Sequence, residues 1–296
     1  MSASALFSHC ILRGRRLASL AMIYDCFAFF NELDLLEIRL NTLDSVVDRF
    51  VIVEATRTFQ KKPKELYFEQ NKERFKPFLH KIEHIIVDEY PGFFAKFRVP
   101  KTWDYDDHQK EQILRGLKNC KADDVIIVSD VDEIPRPELV KRYASTPGIK
   151  VFEQKLFYYY LNCFVKKYPE PIPVKDGYMP WYGTVMLNYS DIKTIKKTRL
   201  YRENRVSSGN ITVVPNGGWH FSYLGGVKKV IEKIEAYAHK EHNKDEFKDP
   251  AVVEAILRKG GSLYGQDIES EFVNIDKSFP IYIQENQEKL TELILK

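Results

Sequence analysis

The sequence is poor in cysteine and in net charge, and it has no apolar run long enough to cross a bilayer. Its four cysteines, Cys10, Cys26, Cys120 and Cys163, lie far apart and form no C-x-x-C pair. That excludes zinc-finger spacing and gives no sign of a disulfide framework, so the thiols read as isolated and reduced. Net charge is +3, from 45 basic and 42 acidic residues, too balanced for a nucleic-acid partner. The apolar stretch Leu17–Phe30 is too short for a transmembrane anchor and contains Asp25. The expectation is a soluble, cytoplasmic-type protein. Internal repeats, low-complexity tracts and a sharp linker are also missing, which points to a single domain.

What is present is an ordinary globular composition, with 44% hydrophobic and 29% charged residues. Aromatic residues make up 13%, including 17 Tyr and 19 Phe, enough for an aromatic core with some left to face a sugar. Residues 1–21 contain no acid and carry Arg13, Arg15 and Arg16. They read as an N-terminal extension ahead of a folded domain over 22–296.

Ile23–Phe30 reads as a buried strand, followed by a helix through Leu33, Leu36, Ile38, Leu40 and Leu43 with Asn31 as N-cap. Phe50–Glu54 is a continuous apolar run suited to a parallel strand. A basic loop follows, then a helix over Tyr67–Phe78, a strand over Ile82–Val87, a helix over Asp106–Leu117, a strand over Val125–Val128 and a helix over Pro137–Ala144. Strands alternating with helices predict an α/β fold with a Rossmann-like, mostly parallel central sheet flanked by helices, and ligands at the carboxyl ends of its strands. The second half reads differently. Val151–Asn162, Tyr178–Asn188 and Ile211–Tyr223 are strand candidates, and Val227–Glu241 and Pro250–Lys259 are helices.

The segment DVIIVSDVDEIP, Asp124–Pro135, carries the chemistry. In extended backbone Asp130 and Asp132 point to the same side, at the carboxyl end of a strand that Pro135 and Pro137 stop. Two same-side carboxylates are costly unless neutralised, and a hard divalent cation, Mn²⁺ or Mg²⁺, neutralises them while keeping positions for phosphate oxygens. Glu133, next along, points away in a regular strand. A lone D-x-D triplet is weak evidence, since it also fits a solvated acidic turn.

Four blocks give the triplet a context: FFNELDLLEIRLNTLDSVVDRFVIVEATRTF over Phe29–Phe59, KPKELYF with ERFKPFLHKI over Lys62–Ile82, DDVIIVSDVDEIPRP over Asp123–Pro137, and GGWHFSYLGG over Gly217–Gly226. In this order they resemble glycosyltransferase family 17, known for β-1,4-mannosyl-glycoprotein β-1,4-N-acetylglucosaminyltransferases. The resemblance implies a GT-A type fold, a UDP-N-acetylglucosamine donor, a divalent metal, inversion at the anomeric carbon and a glycan or glycoprotein acceptor. The change of pattern between the two halves of the chain divides the domain into a nucleotide-sugar-binding half, 22–145, and an acceptor-binding half, 146–296. Animal members begin with a membrane anchor and stem, so the expectation here is an anchorless, bacterial or viral type of enzyme.

Further site residues follow from this frame. Glu32 and Glu54 sit after the first and second strands and are candidates for nucleoside contact, against a helix cap and a solvated strand end. Arg57, Lys61 and Lys62 are candidates for the diphosphate, against a solvated basic loop. Asp130 is shared between donor and metal, Asp132 is the direct metal ligand, and His220 is a third ligand or a core histidine. Trp181 and Trp219 are acceptor-stacking candidates, as are Tyr158, Tyr159 and Tyr182, against a place in the core. Glu235 and His239 read as a surface pair. For the general base, Asp267 in a glycine-rich loop is nominated, with Asp176 behind it. Two other readings stay open: a metal-dependent phosphohydrolase, disfavoured because position 134 is Ile where a D-x-D-x-T motif needs Thr, and a non-catalytic glycan-binding protein on a transferase fold.

Overall fold

The computed structural model describes residues 21–90, 92, 101–169, 177–203, 210–236 and 243–296. Residues 1–20, Asp176 and His239 lie outside them.

Four strands form the parallel part of the sheet: β1 (Ile23–Phe29), β2 (Arg49–Ala55), β3 (Ile82–Val87) and β4 (Val125–Asp130). Their order is β3-β2-β1-β4, all parallel. Period-two alternation explains why β1 and β2 are apolar almost throughout. Phe27, Phe29, Phe50 and Ile52 enter one core layer, together with Leu36, Ile38 and Leu40 of helix α1 (Leu33–Leu43). Cys26, Val51 and Val53 enter the opposite layer with Ile113 and Leu117. The expected helix over Tyr67–Phe78 is instead a short helix α2 (Tyr67–Gln70) and a 3-10 stretch containing Pro77. The next splits into α3 (Thr102–Glu111) and α4 (Ile113–Gly116).

Beyond β4 the sheet becomes mixed. Short β5 (Glu133–Pro135) leads into α5 (Pro137–Ala144), whose Pro137 sits at the start where its missing N–H costs nothing. Then come β6 (Ile149–Tyr158), β7 (Cys163–Lys167), β8 (Pro180–Asn188), α6 (Ile195–Leu200) and β9 (Ile211–Ser222). β8 is antiparallel to both β4 and β6, and β9 is parallel to β6 and antiparallel to β5. Helices α7 (Gly226–Ala236) and α8 (Pro250–Lys259) pack together through Val230, Ile234, Val253 and Leu257. Strand β10 (Glu269–Phe272) pairs with β7, and α9 (Ile281–Glu285) packs against α1. The fold is thus α/β with a flanked central sheet, as expected, parallel in its first half and mixed in its second.

Asn31 is not the N-cap of α1. The capping position is Glu32, whose carboxylate turns back to accept from the Phe30 and Asn31 amides at 3.2 and 3.0 Å, while the Asn31 side chain donates to Glu232.

Candidate active site

A cavity of about 560 Å³ opens at the carboxyl ends of β1, β2 and β4. Its walls include Phe30 and Glu32 after β1, Arg57 and Lys64 after β2, Asp106 and Lys110 of α3, and Asp130 through Glu133 after β4.

Strand β4 ends at Asp130 and the chain turns through Val131 and Asp132, so strict alternation does not continue. Glu133 consequently does not point away. Its carboxylate accepts from the Asp130 amide at 2.8 Å and from the Trp181 indole at 2.9 Å, and Arg202 lies 3.2 Å off. Gly183 makes room for it, since a Cβ there would fall 2.5 Å from the Glu133 carboxyl carbon.

The turn is held from beneath by Arg39, a fully buried arginine on α1. Its guanidinium pairs with Asp25 through two bonds of 2.8 and 2.6 Å and donates to Ser129 Oγ at 2.6 Å. It also donates to the carbonyls of Asp130, Val131 and Glu133 at 3.0, 3.2 and 2.8 Å. A planar fork with five N–H donors can meet this spread of acceptors, and a lysine cannot.

Asp130 and Asp132 are neutralised separately. Asp130 meets Arg199 at 2.8 Å, Lys110 at 3.2 Å and Arg202 at 4.0 Å. Burial opposes its ionisation, but Arg199, Lys110 and Arg202 overcome this and hold the carboxyl well below the usual range. Asp132 lies 3.3 Å from Lys233 and 3.4 Å from His220 Nε2. Burial again opposes the charge, and Lys233 and His220 again prevail, leaving its carboxyl far below the usual range. His220 arrives because β9 runs close against β5. A Cβ on Gly218 would sit 2.1 Å from the Ile134 carbonyl oxygen, so only glycine permits that approach, and His220 then pairs opposite Glu133.

The expected triad of Asp130, Asp132 and His220 does not converge. Among the described residues no group of three or more His, Cys, Asp or Glu side chains gathers at metal-binding spacing. Asp132 and His220 alone still fit a divalent ion. A carboxylate oxygen and the imidazole Nε2 face one another at 3.4 Å, beside the Lys233 ammonium on the same oxygen. Mg²⁺ and Mn²⁺ commonly take one or two protein ligands and fill the rest with water and phosphate oxygens.

Of the other expected site residues, Glu32, Arg57 and Trp181 line the cavity. Glu54 does not. It is fully buried, and its carboxylate is taken up by Lys64, His84 and the Phe68 amide. Lys62 is not on the cavity wall, and Lys64 is. Trp219 is no acceptor platform: one residue from His220 on β9, it faces the core, stacks 4.2 Å beneath Arg136 and donates to the Ser278 carbonyl. Asp267 is largely exposed and paired with Lys167, although its neighbours Gln266 and Ile268 line the cavity. The basic residues around Asp130 are not evident from the sequence. Arg199 sits in the run KKTR, which has the look of any solvated helix face, and the only available signal was its Thr194 N-cap.

The family model of glycosyltransferase family 17 matches residues 4–274. The chain belongs to glycosyltransferase family 17. It is similar to the β-1,4-mannosyl-glycoprotein 4-β-N-acetylglucosaminyltransferases of Rattus norvegicus and Homo sapiens, each 25% identical over 295 residues, covering 89% of this chain and 53% of the relative. The chain thus spans about half the length of these curated relatives. Glucosyl-3-phosphoglycerate synthase from Mycobacterium tuberculosis, crystallised with Mn²⁺, uridine diphosphate and glucosyl-3-phosphoglycerate, superposes with a TM-score of 0.38 at 12% identity, covering 89% of this chain and 92% of that one. Among the described residues of this family 17 chain, no helix is long and apolar enough to cross a membrane.

Proposed function

We propose that this family 17 chain is an inverting, metal-dependent GT-A type transferase moving N-acetylglucosamine from a UDP-sugar to a hydroxyl of a glycan. The observation that carries this reading is one cavity at the carboxyl edge of the sheet that holds both the Asp132–His220 pair and the cations around Asp130. The printed activity of the relatives supports N-acetylglucosamine as the sugar. Charge supports the metal. Among the described residues, the seven lysines and arginines lining the cavity are matched by seven carboxylates. A diphosphate entering so balanced a site leaves excess negative charge, and a divalent cation restores neutrality.

In this reading residues 22–145 supply most of the nucleotide-sugar site, joined by Arg199, Arg202 and His220 from the second half, and the rest of 146–296 receives the acceptor. Lys110, Arg199 and Arg202 donate charge-assisted hydrogen bonds to the diphosphate, and Arg57 and Glu32 lie along the nucleoside end. Asp132 and His220 hold the cation, which when bound acts as a Lewis acid on the leaving diphosphate. Glu133 fixes the Trp181 indole, so that its ring presents a rigid face to a sugar. Arg39 keeps the turn that carries all of them in one shape.

The test is UDP or GDP release from UDP-N-acetylglucosamine, UDP-galactose, UDP-glucose and GDP-mannose, each with Mn²⁺ and with EDTA. Turnover of UDP-N-acetylglucosamine in Mn²⁺ alone is expected. Failure of every UDP-sugar with metal would sink the reading.

A further inference from the structure

The sheet order sets β1 and β2 on one side of β4, and β8, β6 and β7 on the other. Because β4 and β6 are each antiparallel to β8, and β9 is parallel to β6, the carboxyl ends of β6 and β9 reach the same edge as that of β4. The two strands leave the sheet alike. They stay in register up to Tyr158 beside Ser222, and the next residue on each, Tyr159 and Tyr223, is left-handed, with φ of 67° and 57°. Any residue but glycine is disfavoured there, yet both neighbouring strands place a tyrosine in it on the cavity wall.

Tyr158, Tyr168 and Tyr264 line the same end of the cavity. The Tyr223 and Tyr264 hydroxyls lie 3.1 Å apart, and Tyr159 donates to the Gly261 carbonyl at 3.0 Å. Tyr158 meets Tyr168 and Tyr223 edge-on, each at 6.0 Å between ring centroids. Burial pushes the Tyr158 and Tyr264 phenols up, so they stay neutral donors. Among the described residues, the stretches that form this end, 158–168 and 262–268, bring no charged side chain to the cavity wall. Lys233 borders it, but its ammonium is engaged by Asp132 at 3.3 Å and lies 4.9 Å over the Tyr223 ring.

We propose that this tyrosine wall is the acceptor subsite and that it takes an uncharged pyranose, an assignment that rests on the transferase reading above. A sugar ring offers C–H faces to aromatic rings and hydroxyls to phenols. Among the described residues, a phosphate or carboxylate ligand would meet only Lys233 here, already engaged by Asp132. The subsite is continuous, through Lys233, with the carboxylate turn, so an acceptor seated on it lies next to the donor cations.

The experiment uses the full chain with Mn²⁺. Methyl β-pyranosides of glucose, galactose, mannose and N-acetylglucosamine are titrated in the presence of UDP by saturation-transfer NMR, and UDP binding is measured separately by calorimetry. At least one pyranoside is expected to bind. Its affinity should fall about two- to tenfold in Tyr223→Phe and in Tyr264→Phe, the loss of one neutral hydrogen bond. UDP affinity and the melting temperature should hold in both variants. If UDP binds and no pyranoside does, or if both variants bind sugar like the wild type, the subsite is wrong. Sugar binding that depends on Tyr223 and Tyr264 in a protein that does not bind UDP would uphold the subsite and count against the donor reading.

Discussion

Replacing Arg39 with Met is expected to destabilise the protein by about 3–5 kcal/mol, the cost of stranding one partner of a fully buried ion pair. Asp25 would lose both of its strong bonds, and three carbonyls of the turn would lose their shared donor. Urea unfolding followed by tyrosine and tryptophan fluorescence measures the loss. The double variant Arg39→Met with Asp25→Leu separates stability from function. It removes the uncompensated charge, so much of the stability should return. Activity should not, because the Asp130, Val131 and Glu133 carbonyls still lack the fork that sets the turn. A double variant that regains stability and full turnover would show that the turn holds its shape without Arg39.

Asp132→Ala is expected to reduce turnover of the UDP-sugar by more than about 100-fold, since even outer-shell partners of a metal are worth 10–100-fold. The folded state should survive, because the Asp132 side chain lies at the cavity wall and its backbone bond to the Phe221 amide at 2.9 Å is kept. Its carboxyl is held far below the usual range, so between pH 5 and 8 protons do not compete with a cation for it. A variant with unchanged steady-state turnover would remove Asp132 from the metal site. Asp130→Asn is the informative contrast. It removes the carboxylate that Arg199 pairs with, while Lys110 keeps Asp106 at 2.8 Å, and leaves the Asp132–His220 pair in place.

Much of the frame is legible in the sequence because local chemistry dictates it. The short β-branched run VIIV favours a buried strand, and α8 declares both ends: Asp249 accepts from the Ala251 and Val252 amides, Pro250 opens the helix and left-handed Gly260 closes it. Paired glycines before Trp219 permit a close backbone approach or an unusual turn, and Gly218 against the Ile134 carbonyl is a close approach. The site itself is less legible, because it depends on which residues distant segments bring together. Arg199 and Lys110 look like surface charges until the fold aims both at Asp130. Period two predicted that Glu133 faces away, and it fails because the strand stops at Asp130. Trp181 and Trp219 are equal candidates by residue type. Only their strands decide that one lines the cavity and the other packs in the core. By residue type Tyr158 and Tyr159 are either acceptor platforms or strand core, and the left-handed turn that brings Tyr159 to the cavity wall has no local signal.

The most direct test of the central claim is a calorimetric titration of UDP-N-acetylglucosamine into the wild-type protein, with Mn²⁺ and again in EDTA. Binding in Mn²⁺ that disappears in EDTA, and that is lost in Asp132→Ala under both conditions, is the predicted result. Equal binding with and without the metal, or no binding in either, would contradict a metal-dependent donor site at Asp132 and His220.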